Sequence, residues 1–383
     1  MGLRSLVLGL VCVLTVGSVA NATDGIGPSE IHLGQACATK GPAKALGRGM
    51  RSGLEVYFQQ LNQQGGIDGR QIKLTTINDG YEPKKSEMAT RMLIEKKDIF
   101  LMIGGVGTPT AKVTVPVCEE HQVPFIAPFT GAEFLRNPYR RYVINLRGSY
   151  FQEMELLAEY LVDKQGLKRI ACFYQNDGYG QAGLAGIVGA LERRNMQLIG
   201  TGTYERNTVA IATGLNEIAK QKPDAVVMVG ANMPCAMFIK QAKKHADFDK
   251  TLFCNISFVG TEALLANLGD ASEGCIVSQV VPFPWDTSIP VVSEFQRAMQ
   301  NAGRSEEIGF VSLEGYLAGK LFHEVAKRVD GELTRESFID AVDASGAIDL
   351  GGITVTFGSD DHQGMDEVFL TQFKDGQVVR LEN

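Results

Sequence analysis

Two stretches between Ile99 and Glu133 place small and hydroxyl-bearing residues directly behind short apolar runs. The first reads Ile99-Phe-Leu-Met-Ile-Gly-Gly-Val-Gly-Thr-Pro-Thr110 and the second Val123-Pro-Phe-Ile-Ala-Pro-Phe-Thr-Gly-Ala-Glu133. Each predicts a strand that runs into a loop and then a helix. A helix N-terminus at a strand end offers unpaired backbone N–H groups and the positive end of the helix dipole, which suits a carboxylate or similar anion. Thr108 and Thr110 add hydroxyls there, and the glycines before them clear space for a ligand. Phe129, Thr130 and Gly131 are the matching contacts expected of the second loop. The plainer reading of the threonines is helix capping, which Thr performs routinely.

The pattern lacks the parts of a reaction centre. No nucleophile–base pair and no phosphate-loop lysine accompanies these loops. The five histidines (His32, His121, His245, His323, His362) never fall at metal-ligand spacing. Gly200-Thr-Gly202 follows a predicted strand but lacks the third glycine of a dinucleotide site. No G-x-S-x-G elbow occurs. The sequence therefore predicts a site that holds rather than reacts, with no enzyme activity, cofactor or metal.

The elements that must position these loops alternate. Strands are expected at Ile31–Ala36, Ile72–Asn78 and Ile99–Ile103, with helices at Met50–Gln63 and Lys84–Lys97. This βαβαβ order implies a parallel sheet with helices on both faces. It restarts with strands at 166–174, 197–203 and 225–229 and helices at 180–194, 210–220 and 234–245. A strand is then expected at 275–281, helices at 290–302, 313–329 and 335–344, and strands at 353–357, 368–373 and 378–381. With no linker of low complexity, the two units should be joined by several crossing strands, a geometry that permits hinge bending around a cleft.

Arg4, the apolar run Ser5–Val19 and the small-x-small site Ala20-Asn-Ala22 predict an export signal over residues 1–22, cleaved after Ala22. Removal leaves 361 of the 383 residues, with 36 basic against 44 acidic side chains. That acidity excludes nucleic acid, whose recognition needs a basic patch. A length of this order predicts two domains. Six cysteines remain, at 37, 118, 172, 235, 254 and 275, none in a C-x-x-C or zinc spacing. An even count in an oxidising compartment permits disulfides, with Cys254 and Cys275 the expected pair; the apolar setting of each equally suits buried thiols.

With these elements in place, an ordered set of motifs resembles the leucine/isoleucine/valine-binding family, the periplasmic substrate-binding proteins of ABC importers. The set runs Gly41-Pro-Ala-Lys-Ala-Leu-Gly47, Asn62-Gln-Gln-Gly-Gly-Ile-Asp-Gly-Arg70, Asn78-Asp-Gly-Tyr-Glu-Pro83, Gly107-Thr-Pro-Thr110, Ala127-Pro-Phe-Thr-Gly-Ala-Glu133 and Asn176-Asp-Gly-Tyr-Gly180. The resemblance covers nearly the whole mature chain. It implies an α/β fold of two Rossmann-like lobes with parallel-rich sheets joined by three crossovers, the first 23–148 plus 284–367 and the second 149–283 plus 368–383. It also implies a ligand carboxylate held by the loop of Thr108 and Thr110, contact from Phe129–Gly131, and Tyr179 closing over the ligand from the second lobe. Asp177-Gly178 and Gly180 predict that Tyr179 sits exposed on a turn. Tyr150 is a further cleft aromatic, whereas Arg147 is expected to tie the hinge to a carboxylate. Asp79 and Glu82 read as turn and cap residues, and Trp285 as a cover for the hinge.

The departures narrow the ligand. Ser257 stands where amino-acid-binding members carry a carboxylate for the ligand's ammonium, Asn232 replaces an aromatic, and Leu46 falls where some members have tyrosine. An unpaired ammonium in a dry cleft is costly, so a small carboxylate, an aromatic acid or an amide fits this lining as well as leucine. The expected function is a monomeric periplasmic receptor that closes on a small molecule and delivers it to membrane permease subunits. The alternatives are a sensor feeding a membrane kinase or chemoreceptor, or a receptor for aromatic acids.

Overall fold

Pairing of the N-terminal strands explains how the first loop cluster is built. The structure, a computed structural model, describes residues 24–381, so the signal segment lies outside the described residues. β1 (Glu30–Cys37) runs parallel to β2 (Gln71–Asn78), Glu30 opposite Gln71 through to Cys37 opposite Asn78. On the other side of β1 come the short β3 (Leu101–Ile103), β4 (Phe125–Ile126) and β5 (Val143–Ile144), giving the order β2-β1-β3-β4-β5. All these pairs are parallel, so every carboxyl end faces one edge.

The helices between them follow the apolar stripe. α1 (Lys44–Gln63) buries Leu46, Met50, Leu54, Tyr57, Phe58 and Leu61 and therefore starts six residues before the predicted Met50. α2 (Pro83–Lys97) carries proline at its first position, where the missing N–H costs nothing. α3 (Thr108–Glu120) follows β3 as predicted. Behind β4 the expected helix does not form. The chain makes only a three-residue 3-10 turn, Glu133–Leu135. Pro138 accounts for this, because the residue before a proline is barred from the helical region.

The second half is a mixed sheet ordered β14-β13-β10-β9-β8-β6-β7. Its parallel part is β6 (Ile170–Gln175), β7 (Gly200–Tyr204), β8 (Ala225–Val229), β9 (Leu252–Asn255) and β10 (Ile276–Gln279). β8 is buried throughout, as its unbroken apolar run requires. β13 (Phe369–Lys374) adds antiparallel to β10 and pairs with β14 (Gln377–Arg380). Around the sheet lie α4 (Tyr150–Ala158), α5 (Gly178–Glu192), α6 (Ala212–Ala219), α7 (Asn232–Ala242) and α8 (Thr261–Leu268). Back beside α1 are α9 (Pro290–Asn301), α10 (Phe310–Ala326), α11 (Arg335–Asp343) and a ribbon of β11 (Gly346–Asp349) with β12 (Thr354–Phe357).

The chain thus passes between the sheets three times, after β5, after β10 and after β12. The result is two α/β lobes with parallel-rich sheets whose strand ends meet across a seam. All six described cysteines are buried and unpaired, so Cys254 and Cys275 form no disulfide. Trp285, on the second passage, is 41% exposed and packs edge-on against Phe283 and Phe310.

Candidate functional site

A single parallel bridge, Val106 opposite Phe129, fixes the two loops side by side. Phe129 N–H donates to Gly105 O at 2.8 Å, and Gly107 N–H to Phe129 O at 3.2 Å. This register brings Thr108 Oγ1 within 2.6 Å of Thr130 Oγ1. Thr130 Oγ1 in turn donates to Tyr150 Oη at 3.1 Å. Three hydroxyls from three elements therefore converge at the first turn of α3, where N–H groups have no intrahelical acceptor. Gly131 is required by this approach: a Cβ there would lie 2.7 Å from Tyr150 N and from its ring. Thr110 behaves otherwise. Its hydroxyl donates back to Val106 O and Gly107 O, so the side chain closes the turn.

Aromatic rings cover these hydroxyls. Tyr150 and Tyr179 lie 5.6 Å apart between centroids, and Phe258 lies 4.4 Å from Tyr179 and 5.5 Å from Phe129. Tyr81, held at φ +61° by its N–H bond to Asp79 Oδ1, is 6.1 Å from Phe258. Tyr179 is fully buried, contrary to the expected exposure. Asp177 is the reason: its Oδ1 accepts from the N–H groups of Tyr179 and Gly180, which makes the turn the cap of α5 rather than a surface loop. Burial pushes the Tyr150 phenol up to about 12, with Arg147 and the Thr130 hydrogen bond opposing.

Beneath the rings runs an ionic network. Arg147 donates from Nε and Nη2 to the two carboxylate oxygens of Glu314 at 2.8 and 2.7 Å, and from Nη1 to Ser257 Oγ at 3.0 Å. Its guanidinium also lies 4.2 Å from the Phe129 centroid. Burial pushes the Arg147 pKa down, but Glu314 outweighs it and leaves it raised. The expected tie to a carboxylate is thus Glu314. Removing one partner of such a buried pair costs about 3–5 kcal/mol. Glu153 accepts from Ser257 N, Ser257 Oγ and Ser278 Oγ. Burial holds its carboxyl above the usual range, against the pull of Arg147 and those donors. Ser257 is therefore engaged on both sides, joining the two lobes. Asn232 stands apart: its Oδ1 accepts from Asn267 Nδ2, and its Nδ2 is buried without a partner.

The seam is shut at its edge. Glu82 of the first lobe accepts from Arg206 Nη2 at 3.1 Å and Asn207 Nδ2 at 2.6 Å, and Arg206 Nη1 reaches Asp177. Asp79 closes its turn as expected, whereas Glu82 stands at the N-cap of α2 but its side chain serves this bridge instead. A crevice of about 10 Å³ remains between Pro42, Ala43 and Tyr81 on one side and Gln175, Tyr204 and Ala231 on the other. A cavity of about 610 Å³ lies outside the hydroxyl cluster, between Arg48, Arg51 and Glu55 of α1, residues 304–312 and Gly260–Ala263. Sequence reasoning missed Tyr81, Glu153, Phe258 and the Arg206 bridge. Only the Ser149-x-x-Gln152 capping box of α4, which carries Tyr150 and Glu153, was there to be read.

Two sheets facing each other by their strand ends, with hydroxyls and rings gathered in between, define a two-lobed solute-binding protein. The sequence profile of the periplasmic binding protein family matches residues 30–377. The crystal structure of a possible leucine/isoleucine/valine-binding protein from Rhodopirellula baltica SH 1 is 33% identical, with TM-score 0.88 over 95% of this chain and 98% of that one. A branched-chain amino acid ABC transporter structure from Thermus thermophilus with bound valine is 19% identical, TM-score 0.83, covering 93% and 96%. An R. palustris solute-binding protein in complex with benzoate is 22% identical, TM-score 0.80, covering 92% and 96%. The chain belongs to the periplasmic binding protein family. It is a periplasmic receptor, a binding protein and not an enzyme.

Proposed function

We propose that this chain is the solute receptor of an ABC importer and that its ligand is a small carboxylate with an apolar or aromatic body. The observation that carries this reading is the convergence of Thr108, Thr130 and Tyr150 hydroxyls at the N-terminus of α3. The carboxylate docks there, with the backbone N–H of Thr110 as a further donor, and the body lies among Phe129, Gly131, Tyr150 and Tyr179. Ser257 lines the second lobe, and Asn232, with its spare amide donor, contributes from the edge. The solved relatives with valine and with benzoate show that this fold accommodates either body, which supports a shared carboxylate subsite. A ligand that touches both lobes stabilises the closed arrangement only, and that population shift is what membrane permease subunits read.

A thermal-shift screen of the mature protein with valine, leucine, benzoate and benzamide tests this. One of the three carboxylates should raise the melting temperature, and benzamide should not. Thr108→Val should then weaken that carboxylate by roughly 10–100-fold, the worth of a hydrogen bond to a charged group. A response to benzamide alone, or to none of the four, overturns the reading.

A further inference from the structure

Phe258 occupies an unusual place in the seam. It sits in a 3-10 turn, Ser257–Val259, at the carboxyl end of β9, so it belongs to the second lobe. Its ring is fully buried and contacts Tyr179 of its own lobe as well as Phe129 and Tyr81 of the other. Centroid separations of 4.4, 5.5 and 6.1 Å are those of rings in direct contact, with no room for a further ring between them. The backbone on either side is anchored: Ser257 N–H donates to Glu153, and Val259 N–H to Ile256 O. The Phe258 backbone therefore has little freedom, and the ring can adjust only about its side-chain torsions.

We propose that Phe258 is the specificity-determining residue of the inter-lobe site, its ring setting the upper size of the ligand body. The inference rests on the carboxylate reading for the docking end and adds to it the residue that measures the other end. A ligand body lodged beside Tyr179 must share the space with this ring or turn it aside, and each added carbon increases that cost. Among the described residues, no other ring of this cluster pairs with rings of both lobes. Phe129 and Tyr81 come from the first lobe, and Tyr150 pairs with Tyr179.

The test uses the mature protein, its Phe258→Ala and Phe258→Leu variants, and six probes: acetate, valine, leucine, benzoate, 2-naphthoate and benzene. Thermal melts without probe establish that each variant folds. Phe258→Ala should be stabilised by a carboxylate at least one ring larger than the largest that stabilises the parent. It should also gain a melting shift with benzene that the parent lacks, because a dry apolar cavity takes up such a molecule. Phe258→Leu should fall between the two, and it carries the test if the alanine variant does not fold. Binding of one common size range by all three proteins overturns the assignment, as does failure of the variants to gain benzene. If no carboxylate binds any of them while Phe258→Ala takes up benzene, the carboxylate reading fails and the placement of Phe258 stands.

Discussion

At the scale of single residues, the seam is a balance of charge as much as of shape. One guanidinium, Arg147, faces two carboxylates, Glu314 in direct contact and Glu153 through Ser257. Burial raises the Glu153 carboxyl above its unfolded value, so the group favours the folded state below the unfolded pKa of about 4.3. That contribution is lost as pH rises through the raised folded value. Glu153→Gln keeps an acceptor for Ser257 N–H and an amide that can pair with the Ser257 hydroxyl. Melting curves from pH 4 upward should accordingly show a smaller decline for the variant than for the parent; parallel curves would dismiss the account. How much of this was legible differs by residue. The Thr108 and Thr130 pair could be read because both follow an apolar run and glycine or proline. Arg147 could be read as a tie, but its partner Glu314 is 167 residues away, beyond any local pattern. Tyr179 was misjudged because a turn signal and a helix cap share the sequence Asp-Gly.

Elements of the two lobes are held to each other at the seam in part by loops. The turn before α2 and the turn after β7 meet through Glu82, Arg206 and Asn207. Glu82 and Arg206 have partly exposed side chains, 38% and 24%, so this bridge is worth less than about 1 kcal/mol and is open to screening. Such a bond is fit to be broken. Spin labels on Met88→Cys in α2 and Met237→Cys in α7 would report the distance between lobes, because the native thiols are buried. The closed population should fall as salt rises to about 1 M, where the screening length is about 3 Å. Glu82→Gln should lower that population at low salt and flatten its salt response. Equal distance distributions in both proteins at every salt would show that the bridge carries no closing force. The long periodic helices and strands were legible within a few residues, since each hides one stripe or alternates. β4 was read from its apolar run, but β5 and β9 were not, because two to four residues carry no period, and their pairing partners lie elsewhere in the chain.

For the whole molecule, stability comes from buried apolar clusters large enough to dispense with covalent staples. Burial pushes the thiols of Cys37, Cys118, Cys172, Cys235 and Cys254 well up, and Cys275 to about 11. In an exported protein these would be open to oxidation if they were accessible. A thiol reagent should find none of the six in the native mature protein and all six after denaturation. Fewer than six on unfolding would reveal a disulfide. Fold class was the most legible property of the sequence, since two successive alternations of strand and helix leave few arrangements. The lobe boundaries were harder, because the third part of the chain returns to both halves.

That return has a consequence for how the protein comes to be. The sheet of the second lobe is completed by β13 and β14, the last of the described strands, and β13 lies against β10, about ninety residues earlier. A polypeptide threaded through a membrane from its N-terminus delivers this edge after the other described strands. Until it emerges, β10 has an unfilled side and the second lobe is without its outer pair of strands. The sheet of the second lobe can therefore be finished only once β13 has crossed.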